Sequence, residues 1–197
     1  MRRRDFLSTT GGAIVASAAA ARRARGDRHG GAAAIHEQFH RGLVQIHDEL
    51  RGGARAIADA AGNDRDTNAA AIKRLVSGFC QRLLDHHRSE DAFLFPAFRK
   101  AGRLRSSDVA FLDARDREHV TIHRLCLAIR DAGTRGDPAS KPGRGTLASL
   151  VAELSTVSAP HFATEEHTLV PAHLAEIITS QELGRVYRDM GENWNRR

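Results

Sequence analysis

Aromatic residues and runs of β-branched residues are both scarce in this sequence. Phe, Tyr and Trp together make up only 5% of its 197 residues. No segment alternates apolar and polar side chains over the length of a strand, which argues against a sheet. The apolar residues account for 41% of the chain and are mainly Ala and Leu, which favour helices. The sequence therefore predicts an all-α fold, with a length suited to one domain.

The scarcity of cysteine excludes several kinds of site. Cys80 and Cys126 are the only two cysteines, and they form no Cys-x-x-Cys pair. Neither a zinc ribbon nor a thioredoxin-like site is therefore present. Both residues fall within helical patterns as small apolar residues, which favours buried thiols. In an exported chain a disulfide between them is the alternative, and the sequence leaves it open.

Positive charge is concentrated at the N-terminus. The formal net charge is +6, but residues 1–26 contain six arginines and one aspartate, so most of that charge lies there. The rest of the chain is close to neutral and has no basic helix face with interleaved aromatic residues. Nucleic acid is therefore not an expected partner.

Residues 1–30 have the features of an export signal. Arg3-Arg4-Asp5-Phe6-Leu7 precedes a weakly apolar run that ends in Ala18-Ala19-Ala20, small residues suited to cleavage. This run is too short to span a bilayer stably. The order is similar to that of a twin-arginine signal, so we expect export to the periplasm or the cell exterior. A disordered tail on a cytoplasmic protein is the alternative.

Four long amphipathic helices are predicted, followed by a shorter one. Apolar residues at a spacing of three and four place the long helices at about residues 34–61, 67–99, 107–132 and 146–170. The stretch 133–145, with two prolines, is expected to be a long flexible connection. A short helix is expected at about 180–190. We therefore predict an up-down-up-down four-helix bundle over residues 34–172, with a C-terminal helix and tail over 173–197.

One pattern occurs twice, on the second and fourth predicted helices. His86 precedes Glu90 by four residues, and His161 precedes Glu165 by the same spacing. Residues four apart lie on one face of a helix, so each segment directs an imidazole and a carboxylate to the same side. Both pairs continue the apolar seam and therefore face the bundle interior. Because a buried carboxylate without a partner is strongly destabilising, this placement favours metal coordination.

Further imidazoles fall on the inward seams of the other two long helices. His119 and His123 lie four residues apart on the third, and His47 lies on the first. His40, one heptad earlier, and His36, near the helix start, are the alternatives to His47. Five imidazoles and two carboxylates form a suitable ligand set for two metal ions. The predicted metal ligands are His47, His86, Glu90, His119, His123, His161 and Glu165.

Some neighbouring residues leave the assignment open. Around the helix, Glu165 lies about 40° from the direction of His161 and Glu166 about 140°, which favours Glu165 as the second carboxylate and keeps Glu166 as its alternative. Four histidines lie off the seams and are expected to be solvated or to support the ligands from outside: His29, His87, His167 and His173.

The order His, His-x-x-x-Glu, His-x-x-x-His and His-x-x-x-Glu on four successive helices resembles the hemerythrin-like (HHE cation-binding) family. The resemblance covers about residues 34–172. It implies a non-heme di-iron centre in the bundle core, bridged by an oxo or hydroxo group. The ligands carried over are His119, His123 and His161 on one iron, His47 and His86 on the other, and Glu90 and Glu165 as bridges.

The resemblance implies reversible O2 binding, or sensing of O2 or NO, rather than catalysis as the first function. A peroxide- or NO-consuming di-iron enzyme is the second hypothesis. A metal-storage or zinc-binding bundle is the third, because nitrogen and oxygen ligands do not select one metal strongly and Zn or Mn would also fit. The expected partners are small molecules, namely O2, another diatomic gas or peroxide. The oligomeric state is not indicated by the sequence.

Overall fold

The computed structural model describes residues 31–63 and 68–195, and these residues are predominantly helical. Its α-helices are α1 (Gly31–Gly62), α2 (Ala69–Ser89), α3 (Phe95–Ala101), α4 (Ser106–Thr134), α5 (Lys141–Thr168), α6 (Pro171–Ile177) and α7 (Ser180–Asn195). No strand occurs in these ranges, which confirms the all-α prediction. None of the described helices combines the length and apolar character needed to cross a membrane. The predicted export signal lies outside the described residues.

The four long helices α1, α2, α4 and α5 form a helical bundle. α1 packs against α2 and α5, and α4 packs against the same two helices. Their inward faces share one core, which includes Leu83, Ile122 and Leu154, all buried. The predicted bundle is thus present, and its up-down-up-down order remains a prediction.

α2 continues into α3 through a π-helical segment, Glu90–Leu94. The N–H of Phe95 donates to the carbonyl of Glu90, five residues earlier. Pro96 follows directly and has no N–H to donate, so a regular α-helical ladder would be interrupted here in any case. Such π segments occur frequently at functional sites. This one begins at a predicted metal ligand.

The connection predicted at residues 133–145 is shorter than expected. α4 continues to Thr134, and α5 begins at Lys141 with Ser140 as its N-cap. Pro142 lies in the first turn of α5, where its missing N–H would have had no intrahelical acceptor. The prediction of a long flexible connection was therefore wrong at both ends.

The C-terminal region contains two helices rather than the one predicted. α6 and α7 contribute Leu174 and Leu183 to a second apolar cluster, in which they pack with Phe39 of α1. Nε2 of His36 lies 3.1 Å from the carbonyl oxygen of Ile178, which follows α6. α1 therefore holds the C-terminal region through apolar and polar contacts.

Cys80 and Cys126 are free, buried thiols, as predicted. The sulfur of each cysteine faces the backbone of the other cysteine across the contact between α2 and α4. Sγ of Cys80 lies 3.3 Å from the carbonyl oxygen of Cys126. Both residues therefore act as small apolar side chains in the core.

Candidate metal centre

Seven buried side chains converge inside the bundle and form two groups of possible metal ligands. Within each group, one ligand atom per residue lies within 4.8 Å of the others. The first group, called site A, contains His47, His86, Glu90 and Glu165. The second, called site B, contains His87, Glu90, His119 and His161. Glu90 belongs to both, so the sites adjoin.

Glu90 extends one carboxylate oxygen toward each site. Its Oε1 lies 3.5 Å from Nε2 of His86 in site A, and its Oε2 lies 3.5 Å from Nε2 of His119 in site B. The side chain is completely buried. Its position at the start of the π segment thus places one carboxylate between imidazoles from α2 and α4.

Glu165 has the same arrangement from the opposite wall of the pocket. Its Oε2 lies 3.3 Å from Nε2 of His47, and its Oε1 lies 3.2 Å from Nε2 of His161. His161 precedes Glu165 by one helical turn of α5, whereas His47 comes from α1. Each of the two glutamates therefore faces both sites.

Several buried polar atoms of this pocket have no hydrogen-bond partner, and they show whether a cation would fit there. Both carboxylate oxygens of Glu90 and of Glu165 are buried without a hydrogen-bond partner. Nε2 of His119 and Nε2 of His161 are in the same state. Buried polar atoms are normally paired because leaving them unpaired is destabilising. Imidazole nitrogens and carboxylate oxygens are ligands suited to iron, zinc or manganese, so the residues present fit a metal site.

The protonation of the pocket also suits a cation. The pKa of His86 lies well below its ordinary value. Burial is the main cause, and the positive charges that His47 and other imidazoles would carry add to it. His86 is therefore neutral, with a lone pair available for a metal. Burial, together with the nearby Glu165, raises the pKa of Glu90 well above its ordinary value. A metal ion would favour the ionised carboxylate and displace that proton.

Three imidazoles are oriented from outside by carboxylates. In each, Nδ1 contacts an acid and Nε2 is left facing the pocket, an arrangement typical of metal-binding histidines. The pairs are His47 with Glu166 at 2.9 Å, His119 with Asp91 at 2.7 Å, and His161 with Glu118 at 2.7 Å. With the proton on Nδ1, each Nε2 can act as a ligand.

Arginine side chains hold two of these outer carboxylates in place. Arg51 lies 2.8 Å from the same oxygen of Glu166 that contacts His47. Arg115 is buried and donates both to Glu118 and to the carbonyl oxygen of His161. The orientation of the imidazoles thus depends on residues that do not face the pocket.

Six of the seven predicted ligands lie together in sites A and B: His47, His86, Glu90, His119, His161 and Glu165. His123 belongs to neither site and is only half-buried. Its ring centroid lies 6.0 Å from that of His119. His123 as a ligand therefore stays a prediction.

The alternative ligands that the sequence left open have other partners. Glu166 contacts the outer nitrogen of His47, and His40 lies 3.1 Å from the carbonyl oxygen of Leu169. Neither belongs to site A or site B.

The prediction that His87 lies outside the pocket was wrong. Its side chain is completely buried and belongs to site B. The signal was present in the sequence, because residues three apart also share a helix face and His87 precedes Glu90 by three. Glu90 points about 40° from His86 and about 60° from His87 around an ideal helix. The other off-seam histidines differ: His167 is exposed, His173 contacts Asp108, and His29 lies outside the described residues.

A comparison with protein families agrees with this geometry. The model of the hemerythrin HHE cation-binding domain matches residues 37–172, a range that includes every member of sites A and B. The chain belongs to the hemerythrin HHE family. Membership indicates a metal-binding helical protein, and the two buried groups are where this hemerythrin-family chain can hold its cations. No curated protein and no solved structure matches the chain significantly.

Proposed function

We propose that this protein is an exported non-heme di-iron protein that binds O2 in the core of its bundle, or senses O2 or NO there. The observation that carries the proposal is the placement of Glu90 and Glu165, each with one oxygen toward site A and one toward site B. Two carboxylates that each face two sets of imidazoles are suited to a pair of cations rather than to one.

The ligands divide between two metal positions. His47 and His86 would hold one iron in site A, and His119 and His161 would hold the other in site B. Glu90 and Glu165 would bridge the two, and their negative charges would offset much of the charge of two divalent ions in a buried pocket. The sequence predicts His123 as a further imidazole. A bound iron pair would supply reversible electron donation to O2 and an open coordination position.

The protein's own residues keep water away from site A. The Phe162 ring stacks on the imidazole of His47, with centroids 4.4 Å apart, and it also contacts the ring of His86. Arg51 covers the same aromatic ring from the side of the cleft between α1 and α5. Site A has fewer candidate imidazoles than site B, so it is the position expected to accept a small ligand.

A di-iron enzyme that consumes peroxide or NO is the second candidate function. The observation that favours it is the row of outer carboxylates, since Asp91 and Glu118 contact ligand imidazoles and are themselves partly exposed. Such acids could transfer protons between solvent and the pocket. Metal storage, with zinc or manganese in the same ligands, is the third.

Elemental analysis combined with absorption spectra under argon and in air tests these functions. For O2 binding we expect two irons per chain and a visible charge-transfer band that appears in air and disappears under vacuum. Irreversible bleaching would exclude reversible O2 binding. Rapid peroxide or NO turnover, lost in His86→Ala, would establish the enzyme. Two zinc ions and no iron in protein from its native compartment would establish storage.

Export by a twin-arginine route is the part of the proposal that concerns residues 1–30. Its support is the Arg3-Arg4-Asp5-Phe6-Leu7 sequence before a mild apolar run that ends in small residues. The route carries proteins that have already folded around a cofactor, so the metal would be selected inside the cell. A double Arg3→Lys, Arg4→Lys variant should remain in the cytoplasm. Equal export of that variant and of the wild type would exclude this route.

A further inference from the structure

We propose that His87, and not His123, is the third imidazole ligand of the metal in site B. The assignment rests on the proposed metal pair and makes it more specific. It replaces a residue predicted from helical periodicity with one that the structure places in the pocket.

The His87 side chain lacks the polar partners that a buried imidazole normally has. It has no solvent exposure, and both ring nitrogens are buried without a hydrogen-bond partner. An imidazole in a protein core normally donates from one nitrogen and accepts at the other, and losing both interactions is destabilising. A metal bound to one nitrogen would remove much of that penalty. Among the described residues, none forms a hydrogen bond with either nitrogen of this ring.

The His87 ring lies among the other members of site B. His87 stacks on His119, with centroids 4.0 Å apart and planes at 10°. Its centroid lies 5.2 Å from that of His161. A nitrogen of His87 also lies within 4.8 Å of ligand atoms of Glu90, His119 and His161. The ring is therefore already among the atoms that would surround the ion.

His123 is less buried than His87 and lies outside both sites. It is half-buried, only its Nε2 is a buried atom without a partner, and it belongs to neither site. Its ring stacks on His87 at 5.3 Å, farther than the 4.0 Å between His87 and His119. Since His87 already occupies the face of His119, His123 is an outer neighbour of the site.

Zinc binding by the full chain and by two matched variants tests the assignment. Zinc content and affinity are measured by elemental analysis and chelator competition in wild type, His87→Gln and His123→Gln. The wild type should bind two zinc ions. Removing a residue that supports a ligand from outside lowers metal affinity about 10- to 100-fold. His87→Gln removes a proposed ligand itself, so this variant should lose one zinc or bind it more than about 100-fold more weakly. His123→Gln should retain both ions with affinities within about 10-fold of the wild type.

The outcomes distinguish this inference from the function on which it rests. A wild type that binds no metal would contradict the proposed metal pair itself. A wild type with two ions, a depleted His123→Gln and an intact His87→Gln would overturn the present assignment and establish His123. Two intact variants would also overturn it, because neither imidazole would then be needed.

A second measurement is independent of whether the His87 variant folds. Zinc-bound ring nitrogens are counted by ¹⁵N NMR in wild type and in His123→Gln. The same number in both proteins is the expected result. A decrease by one in His123→Gln would show that His123 is a ligand and would overturn the assignment.

Discussion

Nδ1 of His161 lies 2.7 Å from Oε2 of Glu118, which is on the neighbouring helix α4. The second oxygen of Glu118 accepts from Arg115, and Arg115 also donates to the backbone carbonyl of His161. The imidazole is thus fixed through both its ring and its backbone. Because Nδ1 is held by an acid, Nε2 is presented to the pocket as a lone pair.

Glu118→Gln should weaken metal binding without removing it. An amide is a poorer acceptor than a carboxylate, so the ring of His161 loses both orientation and basicity. We expect the affinity of site B for zinc to fall about 10- to 100-fold, measured by chelator competition. Glu153→Gln on α5 is the control, because Glu153 is exposed and pairs only weakly, at 3.6 Å, with Arg124. Equal affinities in the two variants would contradict the role given to Glu118.

Separate substitutions of Glu165 and Glu166, which are adjacent on α5, should distinguish a bridging ligand from a residue that only orients a ligand. Glu165→Gln removes a carboxylate that faces both sites, so both metal ions should be bound more than about 100-fold more weakly. Glu166→Gln alters the partner of the outer nitrogen of His47 and the contact with Arg51, both outside the pocket, so the expected loss is about 10-fold and confined to one ion. Isothermal titration with zinc measures both. The reverse order would identify Glu166 as the bridge.

The metal-free protein should lose stability as the pH falls from about 6 to about 5. Burial lowers the pKa of His86 and of His87 in the folded state. At a pH below the ordinary pKa of histidine, the unfolded chain therefore binds protons at these residues that the folded chain does not bind. Glu90 has the opposite effect on stability. Because its pKa is raised, the folded state keeps a proton on Glu90 at a pH above the ordinary pKa of a glutamate. Two imidazoles outweigh one carboxyl, so the free energy of unfolding should fall over this interval.

Urea unfolding of the chelator-treated protein at the two pH values measures this loss. His87→Phe should reduce it, because the unfolded chain of this variant has one imidazole fewer to protonate. His167→Gln, a change at an exposed histidine of α5, should leave it unchanged. A stability that stays constant or rises toward pH 5 would contradict the direction.

Two glycine-to-alanine substitutions should change stability in opposite directions. A Cβ at Gly133 would lie 2.7 Å from Cγ2 of Val76, across the contact between α4 and α2. Gly133→Ala should therefore destabilise the fold by about 1–3 kcal/mol through overpacking. Gly78 on α2 has nothing within 4 Å of an added Cβ, so Gly78→Ala should stabilise the fold by up to about 1 kcal/mol. Thermal unfolding of both variants measures the difference, and a Gly133→Ala protein as stable as the wild type would contradict it.

The sequence predicted the helices and most of the pocket because both follow from helical periodicity. His86 with Glu90 and His161 with Glu165 continue apolar seams at a spacing of four, and a seam in a bundle faces the core. Any acid on such a seam needs a partner there. Four members of the two sites follow from that relationship, and His47 and His119 follow from their positions on the other two seams. The helical class follows from the Ala- and Leu-rich composition and the same periodicity.

What could not be predicted depends on contacts between helices. His87 lies off the seam of α2 by the simple rule, yet α4 and α5 close over it and bury it. Because proline interrupts helices in general, the sequence predicts that Pro142 lies in a loop. The cap at Ser140 instead places it in the first turn of α5. The second C-terminal helix depends on α1, whose residues provide the apolar surface against which it folds.

Because of the π segment at Glu90–Leu94, the continuous helix formed by α2 and α3 can pack against two different parts of the structure. A wider turn absorbs one additional residue, equivalent to about 100° of rotation on a regular helix. The stretch before it is therefore phased to put His86 opposite α1, and the stretch after it is phased independently to put Phe98 into the C-terminal cluster. The packing of this helix against the C-terminal region can therefore follow a different register from the one that orients His86. Phe95, which packs in the C-terminal cluster and whose ring centroid lies 5.6 Å from that of His119, is the contact through which the two regions remain linked.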